Sequence, residues 1–306
     1  MIKLIKKFVG TVQSEGLGTT LTRTRQYLFR HTYYRYLHFR WGDWNTVQDI
    51  NGSEMYLNIH PDGPHAIERE LARHGVREPG STATYERELT ELKRKTDGHL
   101  HVFDIGANVG YFVLLAAKVL GDQGTVHAIE AEPNNVDRLQ QNVSLNEYSN
   151  VTARQIAAGA NRTTLELDVR STSNTHRMAE LGSGEKPNER IDVDVYPIDQ
   201  IATEAPISEN DAIVLRMDVE GYEHEVFKGA KDILKRDVPI FVFVELHSSL
   251  HKNERKSIID QLERTGFTPL RFSMDGGTTT ESLQSFTPVT ETERNAHSMA
   301  KKTCEK

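Results

Sequence analysis

A single cysteine, Cys304, stands in 306 residues, which excludes an intramolecular disulfide and a thiolate metal cluster and suits a reducing compartment. No run of about 18 apolar residues occurs, so no membrane-spanning helix is expected. The N-terminus lacks the apolar core and small-residue cleavage site of a secretory signal, and a cytoplasmic location is the expectation. Positive charge is in deficit: 37 Lys and Arg face 44 Asp and Glu, giving a net charge of −7. That balance argues against nucleic acid as a partner, because such binding depends on neutralising phosphates. Internal repeats and low-complexity tracts are missing as well. What remains, 37% hydrophobic and 26% charged, is ordinary for a globular protein.

Charge is unevenly spread. Residues 1–44 carry Lys3, Lys6, Lys7, Arg23, Arg25, Arg30, Arg35 and Arg40 against only Glu15 and Asp43. Ile2, Ile5 and Val9 lie at helical spacing opposite the lysines, and Tyr27 to Trp44 interleaves aromatics with arginines. The expected structure over 1–45 is a basic aromatic helical arm packed on the main domain or on a partner subunit. Peripheral contact with an anionic membrane at the inner face is the alternative use of the same surface.

Residues 46–97 read as a lead-in. Asn51-Gly52, flanked by Val47, Ile50, Met55, Leu57 and Ile59, signals a two-residue hairpin. Pro61 to Pro64 predicts a turn and Ala66 to Arg73 a short helix. A second helix is expected over Ser81 to Lys95, with Ser81 as its N-cap and Tyr85, Leu89 and Leu92 on one face.

From His99 the pattern alternates. Leu100 to Ile105, Thr125 to Ile129, Val151 to Ala158, Ala212 to Met217 and Ile240 to Leu246 predict strands, and Val109 to Leu120, Asn134 to Leu145 and Glu223 to Leu234 predict helices. Such alternation implies an α/β fold with a mostly parallel sheet flanked by helices. The polar excursion Asn161 to Arg190 is too long for a simple turn. The main domain is placed at 98–275 and a polar tail at 276–306, with Phe286 to Val289 as a candidate antiparallel edge strand after Phe267 to Phe272.

Three segments carry chemistry. In Val102-Phe103-Asp104-Ile105-Gly106-Ala107-Asn108-Val109-Gly110, a strand runs through a glycine turn into a helix, so the backbone there is expected to approach a ligand closely. Position 108 is Asn, which breaks the G-x-G-x-x-G fingerprint of dinucleotide binding. Asp104 beside the turn suits a cationic ligand such as S-adenosylmethionine. Glu130 closes the next strand 24 residues beyond Gly106, the separation at which an acid accepts ribose hydroxyls. Finally Asp218 and Glu220 follow the fourth strand, and Glu245 and His247 share one face at the end of the fifth. These four are expected to converge on the carboxyl-end rim of the sheet.

The segments D-I-G-A-N-V-G-Y-F at 104–112, A-I-E-A-E-P-N-N at 128–135, M-D-V-E-G-Y-E-H-E-V-F-K-G-A at 217–230 and V-E-L-H at 244–247 resemble the FkbM family of methyltransferases. The resemblance covers about residues 75–275. It implies a Rossmann-like class I methyltransferase fold, S-adenosylmethionine as cofactor, and O-methylation of a hydroxyl or carboxylate on a sugar or glycan, lipid-linked glycans included. It places Asp104, Gly106, Ala107, Asn108, Gly110, Glu130 and Ala131 at the cofactor and Asp218 and Glu220 on the acceptor side. Tyr222 departs from the Ala common in the family.

The expected chemistry is in-line methyl transfer within a near-attack geometry, with Asp218, Glu245 or His247 removing the acceptor proton. Asp218, Glu245 and His247 also form a mixed ligand set of the kind that holds a divalent ion, but nothing in their spacing demands one, and a metal-free site is the reading taken. A nicotinamide-dependent oxidoreductase and a non-catalytic module on the same fold are the alternatives. Methylation of a nucleic-acid amine is set aside, because no Asp/Asn-Pro-Pro-aromatic segment is present.

Overall fold

A computed structural model describes residues 44–60, 65–170, 176–181, 187–247, 250–273 and 282–288 of the chain. The basic stretch 1–43, the turn expected at 61–64 and most of the polar tail lie outside them.

The hairpin forms as expected, with β1 at Asn45–Ile50 and β2 at Ser53–Asn58. Asn51 and Gly52 both take positive φ, 54° and 78°, the geometry that matches the twist of a two-residue hairpin. Helices α1 (Ala66–His74) and α2 (Pro79–Lys95) follow. Ser81 is not the cap of α2. The helix starts two residues earlier, with Glu78 at the N-cap in a left-handed conformation and Pro79 in its first turn, where a missing N–H costs nothing. Ser81 is buried inside the helix.

Then come β3 (Leu100–Ile105), α3 (Tyr111–Leu120), β4 (Gly124–Glu130), α4 (Pro133–Leu145), β5 (Val151–Gln155), β6 (Ala157–Ala158), β7 (Thr163–Val169), β8 (Arg177–Met178), β9 (Glu189–Tyr196), α5 (Ile198–Ala202), β10 (Ala212–Met217), α6 (Glu223–Lys228), β11 (Ile240–Leu246), α7 (Lys252–Arg264), β12 (Phe267–Ser273) and β13 (Ser282–Pro288). The main sheet runs β12-β13-β11-β10-β3-β4-β5. Strands β11, β10, β3, β4 and β5 are parallel, and β13 is antiparallel to both of its neighbours. The strand expected near Phe286 is therefore not at the edge: it slots between β11 and β12, and β12 takes the edge.

Two other expectations change. The apolar run Val151 to Ala158 divides at Ile156, and β6 pairs with β9 in a second sheet of order β6-β9-β7-β8 built largely from the polar excursion. The helix expected from Glu223 to Leu234 stops at Lys228. A side chain at Gly229 would place Cβ 2.0 Å from the carbonyl oxygen of Gly159, so tertiary contact, rather than periodicity, ends that helix.

Central strands are apolar on both faces because both faces are covered. On one side Val102, Val214, Phe241 and Phe243 pack with Phe112, Tyr85 and Leu89. On the other, Phe103, Ile105, Leu215 and Val242 pack with Phe227, Ile258 and Leu262. The lead-in belongs to the first core. Tyr85 is fully buried, its ring 5.0 Å from that of Phe243. The Tyr56 N–H donates to Asn142 Oδ1 at 2.7 Å, tying the hairpin to α4. Among the described residues no helix is long and apolar enough to cross a membrane.

Candidate functional site

Strand order reverses between β3 and β10, and a ligand crevice opens at the carboxyl ends of strands at such a switch point. The chain leaves β3 through Gly106 (φ +79°), Asn108 (φ +51°) and Gly110 (φ +94°) before α3 begins. The Gly106 and Ala107 N–H groups donate to the Ile129 carbonyl at 2.9 and 3.0 Å. The reason for glycine at 106 differs from the sequence expectation. A Cβ there would fall 1.9 Å from the Asp218 carbonyl oxygen, so the close approach that glycine permits is to the end of β10. Gly110 lies against α4, where a Cβ would meet Leu139 Cγ at 3.3 Å.

Glu130 ends β4 almost wholly buried. Its Oε2 accepts the Asn108 N–H at 2.8 Å and its Oε1 the Glu132 N–H at 2.9 Å, so one carboxylate braces the loops after β3 and β4. Burial pushes its pKa up, and those N–H donors oppose the shift. Glu132 caps α4, accepting from the Asn135 N–H at 2.7 Å.

Sequence reasoning missed Arg216, which organises the other half of the site. Its Nη1 lies 3.0 Å from Asp104 Oδ1 and donates to the Gly106 carbonyl at 3.0 Å; its Nη2 lies 3.0 Å from Asp218 Oδ2. The guanidinium carbon sits 4.5 Å above the Phe112 ring. Asp104 is fully buried and does not line the cleft, where Arg216 stands instead. A direct Asp104 contact with a cationic ligand, expected from sequence, gives way to an ion pair beneath the cleft. Burial works against the Arg216 charge, but Asp104 and Asp218 outweigh it and raise its pKa. The signal was legible: residue 216 lies two before Asp218 and thus on the same strand face.

The four rim residues separate into two sets. Asp218 and Glu220 line the cleft, whereas Glu245 and His247 do not. Glu220 holds a left-handed φ of 53°, and its Oε2 meets His247 Nε2 at 3.0 Å. Glu245 is pushed up to about 9, first by the Asp218 charge, then by burial and by Glu78, with Arg216 and Arg77 pulling the other way. Beside them Glu223, buried at the start of α6, is raised to about 7, mainly by burial.

The cleft at these strand ends holds about 920 Å³ of empty space, the open solvent at its mouth included. Of the residues expected at the cofactor, Gly106, Ala107, Asn108, Glu130 and Ala131 line it, whereas Gly110, like Asp104, does not. Further walls come from Ile129, Ala157 and Ala158, from His176, Arg177 and Met178 of the second sheet, and from Ile67 and Arg77 of the lead-in. No local sequence signal marks these, because the topology brings them from remote segments. Among the described residues no group of three or more His, Cys, Asp or Glu is arranged to hold a metal ion.

A comparison with curated proteins gives no match. Among solved structures, a precorrin-6y C5,15-methyltransferase from Geobacter metallireducens GS-15 is 13% identical, with 66% of this chain and 85% of that chain covered and a TM-score of 0.36. A putative rRNA-methylase from Clostridium thermocellum is 10% identical, with 66% and 93% covered and a TM-score of 0.39. A SAM dependent methyltransferase from Aquifex aeolicus is 14% identical, with 69% and 89% covered and a TM-score of 0.37. Likenesses this distant carry no weight on substrate. The family model for the methyltransferase FkbM domain, by contrast, matches residues 104–269, more than half of the sequence. The chain therefore belongs to the FkbM family of S-adenosylmethionine-dependent methyltransferases.

Proposed function

We propose that the protein methylates a hydroxyl oxygen on a sugar or glycan, with Glu220 and His247 handling the acceptor proton. The dehydrogenase alternative falls with the family assignment. The residues present fit the cofactor. Glu130 accepts the Asn108 and Glu132 N–H groups and a side-chain hydrogen bond from Asn135, and a carboxylate, with about four acceptor positions, retains room for a ribose hydroxyl. Ile129, Ala157 and Ala158 offer an apolar wall to an adenine ring, and residues 106–109 of the glycine turn line the same cleft. When bound, S-adenosylmethionine supplies a methyl group on a sulfonium that departs as a neutral thioether.

The observation that carries the proposal is the 3.0 Å contact of Glu220 with His247 at the cleft wall. An alkyl hydroxyl is a weak nucleophile, and a positioned base contributes roughly 10²- to 10⁴-fold in rate. Of the acids at the rim, Asp218 is held in an ion pair with Arg216 and Glu245 is held protonated near neutral pH by the Asp218 charge and burial. Glu220 lines the cleft, and His247, outside its lining, holds the carboxylate in place. Strain at Glu220 is consistent with a residue held for function. The net charge of −7 supports a carbohydrate acceptor over nucleic acid.

The test is transfer of labelled methyl from S-adenosylmethionine to panels of monosaccharides, oligosaccharides and lipid-linked glycans, read by mass. Label in carbohydrate, reduced at least 100-fold by Glu220→Gln, supports the reading. Label found only in RNA or protein overturns it. A carboxylate acceptor needs no proton removed, so full activity of Glu220→Gln on an acidic sugar would reassign the acceptor group.

A further inference from the structure

The matched family segment begins at residue 104, yet Arg77, 27 positions upstream, lines the cleft. We infer that Arg77 is a binding residue for a carboxylate, the α-carboxylate of the amino-acid end of S-adenosylmethionine, so that the lead-in completes the cofactor site. The inference rests on the cofactor assignment.

Arg77 is built into place. Its carbonyl accepts from Thr82 Oγ1 at 2.5 Å, and the same hydroxyl lies 3.2 Å from Tyr111 Oη. Tyr111 is the first residue of α3, directly after Gly110 of the glycine turn. The Thr82 N–H closes the turn on the Glu78 carbonyl at 2.9 Å. Arg77 is thus tethered to the helix that the glycine turn opens. Its Nη2 meets Glu78 Oε1 at 2.7 Å with both side chains partly exposed, and the described residues give the rest of the guanidinium no acceptor. A guanidinium has five N–H donors in a fork that matches a carboxylate.

The sheet order says which end of the cofactor arrives there. Glu130 ends β4, on one side of β3, while Arg77 and Glu78 exert their charge on Glu245 of β11, beyond β10 on the other. A cofactor with its ribose at Glu130 runs across the end of β3 and presents its amino-acid end toward β10 and Arg77. That end is a zwitterion. Glu220 and the Arg216-paired Asp218 add negative charge to the same wall, which disfavours a carboxylate unless a further cation stands beside it. Arg216 is committed to Asp104 and Asp218; Arg77 is the cleft-lining cation on this side with donors to spare.

Calorimetry with S-adenosylhomocysteine and its decarboxylated aminopropyl analogue tests the inference, on the unaltered protein and on Arg77→Gln. The expected result is at least a tenfold loss of S-adenosylhomocysteine affinity in the variant with no change for the analogue. Loss of less than twofold, or equal loss for both ligands, overturns it. Should the variant fail to fold, the unaltered protein still decides: equal affinity for the two ligands overturns the assignment, and tenfold weaker binding of the analogue supports it. If the unaltered protein binds neither, the cofactor assignment fails instead.

Discussion

Gly106 and Asp218 meet backbone against backbone where strand order reverses, so closely that a Cβ at 106 would lie 1.9 Å from the Asp218 carbonyl oxygen. This contact locks the glycine turn after β3 to the acidic turn after β10. Gly106→Ala adds a strained left-handed residue, itself costing about 1–3 kcal/mol, and forces the two turns apart. Loss of S-adenosylhomocysteine binding in calorimetry, together with a lower melting temperature, is the expected outcome. Binding within twofold of the unaltered protein would show that the turns tolerate separation.

Arg216 bridges Asp104 and Asp218 while shielded from water. Replacing it by Met leaves Asp104 buried without its partner, a loss of the kind that costs about 3–5 kcal/mol. Urea denaturation should register that loss, and the second change Asp104→Asn should recover part of it. A cost under 1 kcal/mol for the single change would mean that the pair contributes little.

His127 stacks on Phe103 with ring centroids 4.7 Å apart, and among the described residues neither ring nitrogen has a hydrogen-bond partner. Burial first, then the neighbouring His101, lowers its pKa from 6.5 to about 4. Between these values the unfolded chain binds a proton that the folded one refuses, so stability is full above pH 6.5 and falls as pH drops toward 4. The loss from this residue is up to about 3 kcal/mol. His127→Phe keeps the stacking and should flatten that limb of the stability profile; an unchanged slope would refute the assignment.

Glu245 works in the opposite direction. Its folded pKa of about 9 exceeds the ordinary value of 4.5 because the Asp218 charge and burial favour the neutral acid. The folded chain therefore keeps a proton that the unfolded chain releases, and stability declines as pH rises from 4.5 through 9. Glu245→Gln, an uncharged mimic, should match the unaltered protein near pH 4.5 and exceed it at pH 9 in denaturation midpoint. Equal midpoints at both pH values would place an ionised Glu245 in the fold.

Periodicity and glycine placement made the parallel core legible: β3, β10 and β11 fall where the apolar runs predict, and the hairpin turns at Asn51-Gly52. Glu130 could be found too, because its distance from the glycine turn is set locally by one βαβ unit. Arg216 was readable in principle from its period-two relation to Asp218. The break at Gly229, the division of the run 151–158 and the entry of β13 between β11 and β12 were not, since each depends on a partner remote in sequence.

The sequence by itself determined the alternation of strands and helices, the glycine turn and the acids at strand ends, for these follow from local sterics and the burial of apolar faces. Only the tertiary structure decided which neighbours each acid faces. It put Asp104 under Arg216, set Glu245 beside Asp218, paired Glu220 with His247 and brought Arg77 to the cleft. Ionisation depends on burial and on charges a few ångströms away, and those neighbours come from strands and turns far apart in the chain.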